Sequence, residues 1–547
     1  MRYRALLAAG IVAVAGVAVA PRPTPPAGAV LAPPMAAAVE TLPFSATASD
    51  GTVLRGHVFL PRRGEPLATV LDLSPYWNTA AFGPSGVSLP ANPEGQHARL
   101  APFLQAGFAV AAVNLRGTGS SDGCFQWGGR VDWSDAATVV ETLARQPWSN
   151  GTVGMYGVSY DAWAQYMAVA AAPPALKAVV PVSGVIDVWS LLTRRGAVIN
   201  EGAAVSTAWR TLFSFAATDA HAAGHAACQA ETEADSRANA ELVRTGDRTE
   251  YFEHRDLRPF IAGTDVAVFA TNGMVRYEEG HILQYDHLWE RLRPDRSRLL
   301  IGQWGHGEPT TPDWPAPAVA WFDHYLRGGP QAVEPGVVDY QDDSGGWNHA
   351  PRWPPPGTPA ALYLSGATLT SAPPQVETTA AALPPGAADP GLICGPLQTL
   401  STSPPVVEDV LLAGSFTLDA TLTTTEPGGN LVTVLYRTAG DGTCADLTAH
   451  GHEIGRAQLD LRHWLHPGSS RDFPVDRPTS ISIEGEPFAS LLHAGERLVL
   501  AIGTGSAELM PDPYQPAVSV TSGPARPAFL TLPVTRGTLR FQTAGAR

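Results

Sequence analysis

The stretch Gly154-Met155-Tyr156-Gly157-Val158-Ser159-Tyr160-Asp161-Ala162 decides how the rest of the chain is read. An apolar approach leads in, Gly157 and Ser159 mark a turn, and an Ala-rich run from Ala162 to Ala172 leads out. That order predicts a strand, a sharp turn and a helix, with a serine at the apex. Such an elbow lifts a serine hydroxyl above a sheet. It also aims backbone N–H groups at the start of the helix toward a developing oxyanion.

Strand patterns surround the elbow. Val53 to Leu60, Ala68 to Leu73, Phe108 to Val113, Ala178 to Val182, Val266 to Ala270 and Leu299 to Ile301 are short apolar runs. Helical stretches alternate with them, at His97 to Ala106 and Trp133 to Arg145. Strands alternating with helices predict a mainly parallel α/β sheet. Residues 45–185 and 264–330 form its two parts. The Ala-rich segment 186–263 between them lacks strong strand signals and is read as a helical cap over the strand C-terminal ends, where such sheets bind ligands. Residues 331–404 read as a Pro/Gly-rich linker and sandwich start. Short alternating strands fill 405–547 and predict an all-β jelly-roll sandwich.

At 547 residues the chain requires more than one core. Its formal charge of −15 and the lack of a basic stripe give a nucleic-acid or anionic-membrane partner no electrostatic support. Arg2, Arg4 and the apolar run Ala5 to Ala20 read as an export signal within 1–29, followed by a leader over 30–44. The expectation is a secreted chain with no membrane attachment after signal removal. The four cysteines, Cys124, Cys228, Cys394 and Cys444, lack metal-ligand spacing. In an oxidising compartment the domain reading favours the disulfides Cys124–Cys228 and Cys394–Cys444.

A serine nucleophile requires a base, an orienting acid and oxyanion donors. His306 lies in the Gly-flanked loop Trp304-Gly305-His306-Gly307 after the strand Leu299 to Ile301, the topological place for the base. The Tyr160 amide follows the serine and supplies one oxyanion donor. Tyr76, in Ser74-Pro75-Tyr76 after an early strand, offers a phenol as the second. No metal or organic cofactor is called for. Arg116 and Asp122 are expected to bind each other, and Glu201 in the cap is a candidate for receiving a substrate ammonium group.

Gly157-Val158-Ser159-Tyr160, Ser74-Pro75-Tyr76, Leu115-Arg116-Gly117-Thr118-Gly119-Ser120-Ser121-Asp122-Gly123 and Trp304-Gly305-His306 together resemble the peptidase family S15 group. That group includes Xaa-Pro dipeptidyl-peptidases, cocaine esterase (the CocE/NonD hydrolases) and α-amino-acid ester hydrolases. Trp321 to Gly328, Gly346-Trp347 with Trp353-Pro354-Pro355, and Glu408 to Gly414 extend the resemblance toward the C-terminus. The resemblance implies an α/β-hydrolase domain, a helical cap and a C-terminal jelly roll. It also implies Ser159 as nucleophile, His306 as base, and Tyr76 with Tyr160 as oxyanion hole.

Two positions depart from the family pattern. Ala162 stands where the elbow commonly ends in Gly; Ala is small and helix-favouring. Arg276 falls about where the acid is expected, so Glu278 and Glu279 become the candidate triad acids, with Asp286 behind them. The expected activity is acyl-enzyme cleavage of a short peptide or small-molecule ester. Xaa-Pro dipeptidyl-peptidase-like action is placed first and carboxylic ester hydrolysis second. A reading of another class is a catalytically silent secreted protein that binds a glycan or cell-wall component.

Overall fold

The computed structural model describes residues 39–61, 65–77, 98–199, 228–275, 288–384, 399–506 and 508–542. The expected signal (1–29), Glu201, Arg276, Glu278, Glu279, Asp286 and Cys394 lie outside the described residues, as does most of the leader.

Ten strands build the first sheet: β1 (Glu40–Thr47), β2 (Val53–Leu60), β3 (Leu67–Ser74), β4 (Ala109–Asn114), β5 (Ser149–Val158), β6 (Leu176–Val182), β9 (Ala267–Gly273), β10 (Ser297–Gly302), β11 (Val337–Gln341) and β12 (Trp347–Ala350). Between them the cap carries the small hairpin β7 (Thr193–Arg194) and β8 (Ala197–Val198). The sheet order is β1-β2-β4-β3-β5-β6-β9-β10-β11-β12. From β4 to β11 all neighbours run parallel. The antiparallel pairs β1–β2, β2–β4 and β11–β12 close the two edges. All six residues of β4 are buried, as expected of a central strand covered on both faces.

Helices cover those faces. Among them are α1 (Ala101–Gln105), α2 (Arg130–Ala144) and α3 (Tyr160–Ala171). β5 alternates between the two cores: Val153 and Met155 face one and Tyr156 the other, where it meets Phe103 at 4.7 Å between ring centroids. Phe103 also meets Phe322 of the helix Ala316–Arg327, at 5.5 Å. α3 stops at Ala172, which takes a left-handed conformation (φ 52°); Pro173-Pro174 follows and cannot continue the helix.

The sheet runs past 330, where the sequence pattern places the end of the α/β part. Val337–Gln341 and Trp347–Ala350 are short and partly exposed, so they resemble sandwich strands by composition. Register pairing with β10 places β11, and with it β12, in the first sheet instead. The remaining strands, from Thr358 to Arg536, form a 13-stranded, largely antiparallel sheet around a separate apolar core. This is the expected all-β part.

Besides the β7–β8 hairpin, the described part of the cap carries α4 (Val188–Leu192) and the helices Gln229–Thr245, Glu250–Glu253 and Arg258–Ile261. Fully buried Asp187 anchors it, accepting from Arg248 at 2.9 Å and pairing with Arg258 at 2.9 Å. A buried carboxylate of this kind is held by its two cations. Arg255 reaches from the cap to the carbonyls of Gln126 and Trp127, at 3.0 and 3.1 Å. Arg194 forms a buried ion pair with Glu486 of the β part.

The Gly-rich turn corrects one expectation. Arg116 pairs with Asp135 of α2 (2.8 Å) and with Asp50 (2.9 Å), while Asp122 pairs with Arg55 (2.6 Å). Arg116 points into the domain toward α2, whereas Asp122 is half-exposed, so the two face different partners. Cys124 in the same turn is disulfide-bonded to Cys228, as expected. Cys444 is also disulfide-bonded.

The Cys124–Cys228 bridge ties the Gly-rich turn to the start of the helix Gln229–Thr245 across a separation of 104 residues. Closing so long a loop restricts the unfolded chain. The double variant Cys124→Ser/Cys228→Ser is expected to lose about 2–4 kcal/mol in urea unfolding. An unchanged midpoint would show that the bridge adds no stability.

Candidate active site

Ser159 occupies the turn between β5 and α3 with φ 66° and ψ −120°. A non-glycine residue rarely adopts positive φ, and holding it there costs about 1–3 kcal/mol. Hydrogen bonds on both sides fix the turn. The Ser159 N–H donates to the Val182 carbonyl at 2.9 Å, and the Ser159 carbonyl accepts from Ala162 and Trp163, at 3.0 Å each. Gly157 makes the close packing possible. A Cβ there would overlap the Cβ of Asp161 and approach Asp72 Oδ1 to 3.2 Å. The elbow expected from the sequence is therefore formed.

Tyr76 follows β3 and is 5% exposed; its N–H donates to the Ser74 hydroxyl at 3.0 Å. Its buried hydroxyl neighbours the Ser159 side chain and the Tyr160 amide. Burial, and next the charge of Asp161, push the phenol far above its ordinary range. It stays protonated and able to donate. The Tyr160 ring turns away to pack on Phe125 and Trp163, with centroids 5.6 and 4.9 Å apart, leaving its amide to the elbow. A protonated phenol thus adjoins both the Ser159 side chain and the Tyr160 amide at the elbow.

His306 lies in the loop after β10 and is exposed. Trp304, 5% exposed, anchors that loop: its carbonyl accepts from Val275 at 3.1 Å and its ring packs over Gly302. Gly307 meets the Ser183 hydroxyl at 3.4 Å through both its N–H and its carbonyl. Ser183 adjoins Val182, the residue that receives the Ser159 N–H. The His306 loop therefore borders the elbow, at the C-terminal ends of β5, β6, β9 and β10.

Sequence reasoning passed over a polar cluster under the elbow. Asp72 of β3 and Asp161 of α3 are buried at 0% and 1% exposure, and Arg99 lies 3.6 Å from Asp161. Burial drives both carboxyls upward; Arg99 opposes this. The Tyr156 hydroxyl makes a short hydrogen bond to Glu308, two residues past His306, and accepts from Trp314 at 3.3 Å. The available signals were an Asp inside the apolar run Ala68 to Leu73 and an Asp directly after the elbow tyrosine. Among the described residues no group of three or more His, Cys, Asp or Glu side chains is placed to hold a metal ion.

Residues 50–308 match the family model for X-Pro dipeptidyl-peptidase (S15 family), and residues 332–525 match that for the X-Pro dipeptidyl-peptidase C-terminal non-catalytic domain. A Streptomyces avermitilis protein assigned to the Xaa-Pro dipeptidyl-peptidases is 26% identical over 334 residues, which is 56% of this chain and 48% of that protein. The cocaine esterase of Rhodococcus sp. is 24% identical over 369 residues, 59% of this chain and 62% of its own length. The chain spans about half the length of the dipeptidyl-peptidase relatives it matches. In fold, an α-amino acid ester hydrolase aligns with a TM-score of 0.70 at 17% identity, covering 94% of this chain and 100% of that one. A CocE/NonD family hydrolase from Staphylococcus aureus aligns with 0.69 at 16% identity, covering 91% and 94%. Over residues 50–308 and 332–525, the chain is thus similar to the S15 family in both its catalytic and its C-terminal part.

Proposed function

We propose that the protein is an exported serine hydrolase that works through an acyl-enzyme. The observation that carries this reading is the strained turn at Ser159, with the Tyr76 hydroxyl and the Tyr160 amide at its side chain. Ser159 Oγ attacks the substrate carbonyl while His306 takes its proton. Tyr76 and Tyr160 N–H hold the negative charge that forms on the carbonyl oxygen. His306 returns the proton to the leaving amine or alcohol, then activates the water that releases the acid. Glu278 and Glu279 remain the proposed orienting acids. Export is supported by the charged start and apolar run at the N-terminus and by the Cys124–Cys228 bridge.

The substrate class placed first is a short peptide with proline in the second position, supported by both family descriptions. Ester hydrolysis is the second reading, supported by the wider span shared with the Rhodococcus cocaine esterase. A silent binding protein is the reading from another class.

A fluorophosphonate probe is expected to label the wild type and not Ser159→Ala. Failure to label the wild type would leave the silent binding protein. Ala-Pro-nitroanilide is expected to be cleaved alongside short nitrophenyl esters; turnover of esters alone would remove the dipeptidyl-peptidase preference. Tyr76→Phe keeps the ring and loses one oxyanion donor. Its kcat is expected to fall about 10²–10³-fold with KM little changed. A wild-type kcat would take Tyr76 out of the oxyanion hole.

A further inference from the structure

Asp72 and Asp161 come from the two elements that supply the oxyanion donors. Asp72 lies on β3, four residues before Tyr76. Asp161 lies in the first turn of α3, next to Tyr160. A Cβ added at Gly157 would meet Asp161 Cβ and Asp72 Oδ1, so both side chains pack beneath the elbow, where each carboxyl acts on the other. All four of their oxygens are buried. Arg99, 3.6 Å from Asp161, is the cation beside them. Ser74 and Tyr76 face Asp161 from the end of β3, while Tyr156 and Glu308 share the field of Arg99 from β5 and the His306 loop. Two adjacent buried carboxylates cannot both stay ionised against a single positive charge. With one proton between them, the pair and Arg99 together are neutral.

We infer that Asp72 and Asp161 share one proton, and that the resulting O–H···O bond is a positioning tie holding the Tyr76 strand against the Tyr160 helix turn. The tie fixes the spacing of the two oxyanion donors. It also keeps a second negative charge from lying under the developing oxyanion, where it would oppose the transition state. Loss of the shared proton at alkaline pH replaces the bond with repulsion. Both effects then lower kcat more than they alter KM.

The catalytic part rests on the serine-hydrolase reading; the shared proton does not. Asp72→Asn donates an amide N–H to the Asp161 carboxylate and has no proton to lose. It is expected to keep kcat near wild type at pH 7 and to lack the wild-type fall at alkaline pH. Asp72→Ala removes the tie and is expected to lower kcat between about tenfold and a hundredfold at every pH. An alkaline fall in Asp72→Asn like that of wild type, or an unchanged kcat in Asp72→Ala, overturns the tie. If Asp72 variants do not fold, Asp161→Asn asks the same question with donor and acceptor exchanged.

Thermal unfolding reads the proton without catalysis. Both carboxyls are raised on folding by burial. Their contribution is therefore complete below the ordinary carboxylate range and is lost as pH rises. The Tm of wild type is expected to fall more steeply than that of Asp72→Asn between pH 6 and pH 9; equal slopes overturn the shared proton. A wild type that resists the fluorophosphonate defeats the hydrolase reading alone, and the two Tm slopes still decide the pair.

Discussion

A serine held at φ 66° between a strand and a helix is the constraint on which the rest of this structure depends. The turn stores backbone strain, so its surroundings must over-determine it. They do so through the Val182 carbonyl on one side and the first turn of α3 on the other. Gly157 then lets α3 approach the sheet closely enough for Asp161 to pass beneath the turn. Strain at one residue, a missing side chain at another and a helix start at a third are a single geometric solution. Its product is a hydroxyl raised above the sheet with an amide beside it.

The electrostatics of the site follow from that packing. Parallel strands end together, so Tyr76 after β3, Ser159 after β5 and the His306 loop after β10 gather at one end of the sheet. Burial keeps Tyr76 protonated, which suits a donor. The same burial places two carboxyls, one arginine and the Tyr156–Glu308 contact below the reacting groups. In a low-dielectric interior such groups act strongly on neighbouring charge, so their proton count matters as much as their positions. The cap is tied to this frame by Arg255 at the Gln126 and Trp127 carbonyls, and to the β part by the Arg194–Glu486 pair.

Much of this was legible in the sequence because the signals were local. The elbow shows in Gly157 and Ser159, the buried strands in continuous apolar runs, and His306 in its Gly-flanked place after a strand. Tyr76 is offered by its place after an early strand and gains weight from the resemblance, since a lone tyrosine there carries little pattern of its own. Contacts made across the fold left no local trace. Arg116 and Asp122 are close in sequence but turn toward Asp135 and Arg55. β11 and β12 look like sandwich strands until their pairing with β10 is known. Asp72 and Asp161 are 89 residues apart in numbering (161 minus 72), and only packing at Gly157 brings them together. The candidate acids Glu278 and Glu279 lie outside the described residues and stay as the sequence left them.

The central claim is that Ser159 carries the acyl group. Rapid acid quenching of the protein during turnover of a nitrophenyl ester, followed by peptide mass mapping, tests it directly. The account predicts an acyl adduct on the peptide containing Ser159, absent from Ser159→Ala. An adduct on another residue, or wild-type turnover by Ser159→Ala, would contradict it.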